Sequence, residues 1–357
     1  MLPLARAFRR RGDSVAVMVP ASLVPVFADE DIDVLVAGAD IPTVVAEVVR
    51  RTGEDVTGEP SPDTLVYAFT TVRLDLSVDD ALPVARDWGP DLVIHDEIDF
   101  VGPFVAVACG ARRASHTFGP DVSADVVGAC IERVTMEYRD RGLRWQPADS
   151  VVDICPADLQ VDGWRAPQGW LPLRPEAHRA PTASVARKPR PLTGQGRVLV
   201  NFGTVYTNPE LLTPLIRDLT ANGHGVRVAT GLMASPADFA VDPDTVAFEN
   251  FRPYAELLDG VDVVVGHGGA GTNLGALAAG VPLVLIPQGA DQGAQAERAA
   301  TAGAAIRIAT DAFGPDVVTR AVADVLEQPG YRAAASKIAE QVSAMPSADD
   351  VAARLAS

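Results

Sequence analysis

The amino-acid sequence predicts an α/β protein built from two doubly wound domains, and three observations carry that prediction. Short apolar runs bounded by Gly, Asp or Pro alternate with helix-patterned segments, the signature of parallel βαβ units. The chain of 357 residues is longer than one α/β core comfortably accommodates. From Pro147 to Pro191 prolines become frequent, and the run Trp170-Leu171-Pro172-Leu173-Arg174-Pro175 is poor in helix and strand signals, so a domain boundary is expected there. Residues 1–185 and 196–345 are the expected domains.

Taken in order, Leu2 to Arg11 patterns as an amphipathic helix closed by Gly12. Val15–Val19 and Asp33–Ala37 read as short buried strands. Residues 41–80 mix Gly, Pro and polar stretches without a clear period, and are expected to form loops and helices over a cleft. Asp91–Glu97 is a buried strand ending in charge; a helix from about Phe100 to Cys109, a strand near Ala114 to Thr117 and a helix over 122–141 follow. A doubly wound domain begins with a strand, usually a central one, whereas this chain opens on a helix. The expectation is that the first strand and its loop lie upstream of Met1, through truncation or a start assigned too late. A genuine variant, or an edge repaired in another way, is the alternative.

The second half is cleaner. Its expected strands are Val198–Phe202, Gly225–Thr230, Val246–Glu249, Asp262–Val265, Leu283–Ile286 and Ala305–Ile308. In the common 3-2-1-4-5-6 order, strands one and four are neighbours whose connections leave in opposite directions, and ligands bind at that switch point. The turns after strands one, four and five (Gly203–Thr207, His267–Thr272 and Pro287–Gln292) then converge on one spot.

A net charge of −17 disfavours nucleic acid and anionic membrane as partners, and requires any phosphate to be held by local dipoles and chosen cations. With 48% hydrophobic and 22% charged residues the composition suits a soluble protein. Cys109, Cys130 and Cys155 are unclustered, without metal-ligand spacing, and read as reduced thiols of a cytoplasmic protein. No apolar run reaches transmembrane length, and the start lacks a signal-peptide core.

The chemistry concentrates in Asp262-Val263-Val264-Val265-Gly266-His267-Gly268-Gly269-Ala270-Gly271-Thr272, a strand, a glycine-dense turn and the start of a helix that stops at Gly280. Glycines admit a ligand close to the backbone, and a helix start offers free N–H groups and a favourable dipole to an anion. The turn therefore reads as a diphosphate cradle on Gly268, Gly269, Gly271 and Thr272. The other reading is a turn shaped purely by packing. His267 suits a hydrogen bond to a phosphate oxygen, and reads alternatively as a structural histidine. Asp291-Gln292 pairs an acceptor with a donor, fitting vicinal sugar hydroxyls, and Asp291 equally suits a helix N-cap. Phe251 is a candidate for stacking on a nucleobase with the Arg252 backbone at its edge, or an ordinary core aromatic. Gly266, Gly268 and Gly271 also satisfy G-x-G-x-x-G with Asp291 about twenty residues on, so a nicotinamide- or flavin-binding oxidoreductase stands as a third reading. That fingerprint normally sits on the first strand of its domain, and this turn follows the fourth.

The segment HGGAGTNLGALAAGVPLVLIPQGADQ resembles the donor-binding signature of family 1 glycosyltransferases, with Asn201-Phe202-Gly203-Thr204 and Asn250-Phe251-Arg252-Pro253 falling where that family places its other donor loops. The tail KIAEQVSAMPSADDVAARL and the segment PDLVIHDEIDFVG are similar to the actinobacterial natural-product members, those that glycosylate enediynes and macrolides. The resemblance implies the GT-B fold of two facing Rossmann-like domains, the N-terminal one for the acceptor and the C-terminal one for the nucleotide sugar. Residues 346–357 would be a helix crossing back to the first domain. It implies inverting, metal-independent transfer from a dTDP- or UDP-sugar, a co-substrate rather than a cofactor, to a hydroxyl of a small hydrophobic natural product. By the same resemblance His267, Gly268, Gly269, Gly271, Thr272 and Thr204 are phosphate contacts. Asp291 and Gln292 hold the sugar hydroxyls, and Phe251 replaces the usual base-stacking Trp. The family's base, a His in the loop after the first strand, falls upstream of Met1. Asp96 or Glu97 matches the carboxylate that orients it, the choice between them being open, and His95 and His116 are the other histidines of that half. A catalytically impaired donor-binding remnant, or an auxiliary partner of an active transferase, is the competing expectation. Self-association as a homodimer is left open.

Overall fold

The computed structural model describes residues 1–56, 60–120, 124–179, 189–203, 207–231, 234–250 and 252–357. The chain divides into two compact units, one of residues 1–154, 163–173 and 346–357, the other of residues 155–162 and 174–345. Residues 155–162 join the second unit because the Leu159 carbonyl accepts from Arg298 and the Asp158 carboxylate meets Lys337 at 2.7 Å.

The first unit carries two parallel sheets. One pairs β1 (Ala16–Val19) with β2 (Asp33–Val36). The other runs β3-β4-β5-β6, over Leu92–Asp96, Arg112–His116, Ser150–Asp153 and Trp170–Pro172. β6 corrects the expectation that the stretch around Trp170 lacks strand structure. Pro172 is tolerated because β6 is an edge strand with a ladder on one side only.

Its helices are α1 (Leu2–Arg11), α2 (Ile41–Thr52), α3 (Pro62–Tyr67), α4 (Arg73–Trp88), α5 (Val101–Cys109) and α6 (Ala124–Asp140). α1 stops where Gly12 turns left-handed at φ 91°. Residues 41–80, aperiodic in sequence, are largely helical. Asp40 and Ser61 cap α2 and α3 through the Thr43 and Thr64 amides, each with a proline in the first turn, and a π-helical turn at Ala68–Val72 joins α3 to α4. That π-turn shifts the register of the buried face, which is why a simple 3.6 period is not visible.

The second unit is one parallel sheet of β7 (Arg197–Asn201), β8 (Gly225–Ala229), β9 (Val246–Glu249), β10 (Val263–Gly266), β11 (Leu283–Leu285) and β12 (Ala305–Arg307). Its order is β12-β11-β10-β7-β8-β9, the expected doubly wound topology, so the switch point lies between β7 and β10. Helices α7 (Pro209–Ala221), α8 (Tyr254–Leu257), α9 (Ala270–Ala278), α10 (Gln292–Thr301), α11 (Pro315–Glu327) and α12 (Pro329–Ala344) surround it. Val198, Val200, Val226, Val228, Val263, Val265 and Val284 are buried because helices cover both faces of the sheet. Arg227 is the exception on β8. Its two terminal guanidinium nitrogens donate to the carbonyls of Leu257, Asp259 and Arg190 at 2.6, 2.9 and 3.0 Å.

The last helix, α13 (Ala348–Ala356), belongs to the first unit. Val351, Ala352 and Leu355 pack with Leu4 and Ala7 of α1, and Asp349 pairs with Arg10 at 2.7 Å.

Candidate functional site

The register that pairs Gly266 with Asn201 brings the carboxyl ends of β10 and β7 side by side. A Cβ at Gly266 would stand 2.6 Å from the Asn201 carbonyl oxygen, so only glycine ends β10 here. The chain then turns through His267. A Cβ on Gly269 would reach 2.5 Å from its Nε2, and one on Gly203, after β7, would reach 3.0 Å from its Cε1. The imidazole thus lies against two bare Cα atoms. Burial lowers the His267 pKa, opposed by a hydrogen bond to the Asn201 backbone and by the charge of Asp291, so the ring is neutral at pH 7.

α9 begins directly after this turn. Its N-cap is Gly269, which has no side chain to cap the first amides, whereas Asp40, Asn208 and Ser347 cap α2, α7 and α13. Gly271 is exposed, and Thr272 and Asn273 are recessed beneath it, Asn273 tying the turn by donating to the Gly268 carbonyl at 3.0 Å. The result is an open, positively polarised helix start.

The loop after β11 closes on the same turn. A Cβ on Gly268, at φ 92°, would sit 3.1 Å from the Gln292 carbonyl. Gln292 is 4% exposed and braces its own loop, its side-chain oxygen accepting from the Gln288 amide at 2.7 Å. Asp291 makes no side-chain capping bond to α10; its carboxylate accepts from Gln295 at 3.0 Å. Ala290 just before it is held at φ 54°. The Arg252 side chain is occupied by Glu249 at 3.0 Å and Glu256 at 2.8 Å, which leaves its backbone for any contact with a base. Thr204 and Phe251 lie outside the described residues. The structure therefore gathers Gly203, His267, Gly268, Gly269, Gly271, Thr272, Asp291 and Gln292 around one point of the second unit. Asn201, which the resemblance placed in a donor loop without a role, and Tyr254, which carried no expectation, both adjoin it; a polar residue ending the run Val198-Leu199-Val200 was the available signal.

In the first unit, Asp96 closes β3 and accepts from the Ile98 amide at 3.0 Å, while Glu97 accepts from the Phe118 amide at 3.0 Å. Met1 lies within electrostatic reach of Asp96, placing the start of α1 beside that carboxylate. His95 and His116 both turn Nδ1 to backbone carbonyls, of Asp96 and Thr117, at 2.7 Å. Burial lowers the pKa of His95, and lowers that of His116 to about 3, with the charge of the Met1 amine adding to it.

Two parallel α/β units, one with an uncapped, glycine-led helix at its switch point, define a two-domain transferase of the GT-B type. Residues 6–167 match the N-terminal domain, and residues 227–357 the C-terminal domain, of the erythromycin biosynthesis protein CIII-like family. The 3-alpha-mycarosylerythronolide B desosaminyl transferase of Saccharopolyspora erythraea is 24% identical, over 98% of this chain and 93% of its own. The elloramycin glycosyltransferase ElmGT of Streptomyces olivaceus is 28% identical, over 99% and 92%. Among solved structures, the Streptomyces sp. SF2575 glycosyltransferase SsfS6, complexed with thymidine diphosphate, superposes with a TM-score of 0.81 at 24% identity, covering 99% of this chain and 94% of that one. The spinosyn rhamnosyltransferase SpnG does so with 0.80 at 23%, covering 100% and 96%. The chain belongs to the erythromycin biosynthesis protein CIII-like family and is a glycosyltransferase of natural-product biosynthesis. Among the described residues no helix is long and apolar enough to cross a membrane.

Proposed function

We propose that the second unit binds a dTDP- or UDP-sugar and that the enzyme transfers the sugar, with inversion and without a metal ion, to a hydroxyl of a small hydrophobic acceptor held by the first unit. The observation that carries this reading is the His267 imidazole, walled by Gly203 and Gly269 beside the uncapped start of α9. As the acceptor oxygen forms its bond to the anomeric carbon, the carbon–oxygen bond to the diphosphate breaks and negative charge gathers on the leaving group. The α9 amides and the Thr272 hydroxyl are placed to stabilise that charge where it develops, and His267, whose neutral ring gives its one N–H to the Asn201 carbonyl, joins them by taking up a proton as the diphosphate binds. Asp291 accepts from sugar hydroxyls and Gln292 holds their loop.

Thymidine diphosphate in the complexes of SsfS6 and SpnG, and an aglycone in another SpnG complex, support the donor and acceptor classes. In the first unit Asp96, beside the start of α1, and Glu97 are the two carboxylates suited to orient a base, and the choice between them is open. His116 is ill suited to take the acceptor's proton, since a base with a pKa of about 3 has little driving force at neutral pH. Calorimetric titration with dTDP and UDP, followed by mass spectrometry of reactions with sugar donors and phenolic or polyketide acceptors, tests the proposal. Absence of binding by either nucleotide refutes it.

A further inference from the structure

Two polar side chains adjoining the donor site have no part in the mechanism above, and they meet each other. Asn201, 8% exposed, ends β7. Its side-chain oxygen accepts from the Gly203 amide at 3.0 Å. A backbone amide only donates, so this contact fixes which end of the Asn201 amide is oxygen. The NH₂ group faces the Thr272 hydroxyl oxygen at 3.5 Å and also reaches the Tyr254 hydroxyl. Tyr254 donates its own proton to the Thr272 carbonyl at 3.0 Å. Its ring lies flush on α9, since a Cβ on Gly275 would come within 2.8 Å of Cδ1. The Asn201 main-chain carbonyl meanwhile engages the His267 ring. One asparagine thus touches the turn after β7, the start of α9, the turn after β10 and α8.

The Gly203 amide donates to Asn201, and Asn201 in turn donates to Thr272 and Tyr254. Asn201 fills a lone pair of the Thr272 hydroxyl oxygen, and among the described residues nothing accepts the Thr272 proton. We propose that Asn201 is a positioning residue, buttressed by Tyr254, that sets the Thr272 hydroxyl as a donor toward the bound diphosphate. This rests on the donor reading above and gives it a polarity. The bond that Thr272 accepts from Asn201 polarises its own O–H, which strengthens the hydrogen bond it gives to an anion.

Asn201→Asp reverses the polarity with almost no change of shape. The ionised carboxylate accepts from Thr272 and repels the diphosphate, whereas the protonated acid restores one donor and one acceptor. Binding of dTDP is measured by calorimetry from pH 5.5 to 8.5 in wild type and N201D, alone and combined with Thr272→Ala. His267 at the end of β10, Asp291 after β11 and Tyr254 on α8 face the same site, α9 carries no titratable side chain, and the nucleotide itself titrates. The wild type measured in parallel removes these contributions. The expected result is an affinity lower by about 10- to 100-fold at pH 8 in N201D, a gap that narrows as the pH falls, and a smaller gap, from charge repulsion alone, once Thr272 is gone; a gap equally large without Thr272 overturns the proposal. Equal affinity at pH 8, or a deficit constant with pH, overturns the proposal. Should N201D fail to fold by circular dichroism, Tyr254→Phe decides. It loses one oxygen atom and is expected to bind dTDP about 3- to 10-fold more weakly, and unchanged binding overturns the proposal. Wild-type protein that binds neither dTDP nor UDP removes the donor reading and this inference together. Wild-type binding that N201D follows at every pH removes the inference alone.

Discussion

The imidazole of His267 and the Cα of Gly269 are in such close contact that a methyl group on Gly269 would stand 2.5 Å from Nε2. Two positions later the constraint is gone: a Cβ on Gly271 meets nothing within 4 Å. One glycine fixes the ring, and the other leaves the mouth of α9 open.

Gly269→Ala is therefore expected to displace His267 and to weaken dTDP binding by about tenfold or more, the loss of a charge-assisted hydrogen bond. Gly271→Ala is expected to stabilise the fold by up to about 1 kcal/mol through helix propensity. Urea denaturation and calorimetry of the two variants check both outcomes; unchanged donor affinity in Gly269→Ala would deny His267 its part.

His116 governs stability in acid. Its folded pKa, about 3, lies below its unfolded value, so between about pH 6.5 and 3 the unfolded chain binds the extra proton. Stability then falls as the pH drops through that window, by about 1.4 kcal/mol per pH unit from this group alone. The lowered pKa of His95 acts in the same sense. His116→Gln should flatten the pH dependence of the urea midpoint between pH 6 and 4. An unchanged slope would mean that His116 protonates freely in the folded state.

The two sheets of the first unit end at β1 and β3. Backbone bonds from Asp33 and Ala37 to the carbonyls of Val15 and Val19 turn the odd residues of β1 toward β2. Bonds joining Arg112 to Asp91 and Glu97 to His116 likewise turn the odd residues of β3 toward β4. The amides of Ala16, Met18, Leu92 and Ile94 accordingly point away from the one partner strand each has among the described residues. Hydrogen exchange should be faster at these four than at Val264 and Val265, whose strand is paired on both sides. Comparable protection would show that those edges are covered in solution.

Ala290 is the one described non-glycine residue at positive φ, 54°, immediately before Asp291. The left-handed region costs an L-residue about 1 kcal/mol, so Ala290→Gly should relieve that strain, partly offset by the greater freedom of glycine in the unfolded chain. A net gain of a few tenths of a kcal/mol in urea denaturation is expected; a loss would show that the loop conformation carries no strain.

Much of this protein is legible one residue after another. The valine runs from Val198 to Val265 announced a parallel sheet buried on both faces. Gly12 closed the first helix where a left-handed residue was needed. The glycine turn around His267 marked a switch point before any tertiary information, because backbone freedom and apolar periodicity are local properties. The edge strand Trp170–Pro172 was invisible, since its partner among the described residues, Ser150–Asp153, is nearly twenty residues away and its proline argues against a strand.

What only tertiary structure decided is which groups face which. That Gly203 and Gly269 flank one imidazole, that Gln292 braces its loop, and that Asn201 meets Thr272 and Tyr254 depend on strand register across β7 and β10. Hydrogen bonds between residues 71 positions apart, such as that from Asn201 to Thr272, exist only once the sheet has closed. A sequence specifies donors and acceptors, and the packed fold alone sets the direction in which each proton points.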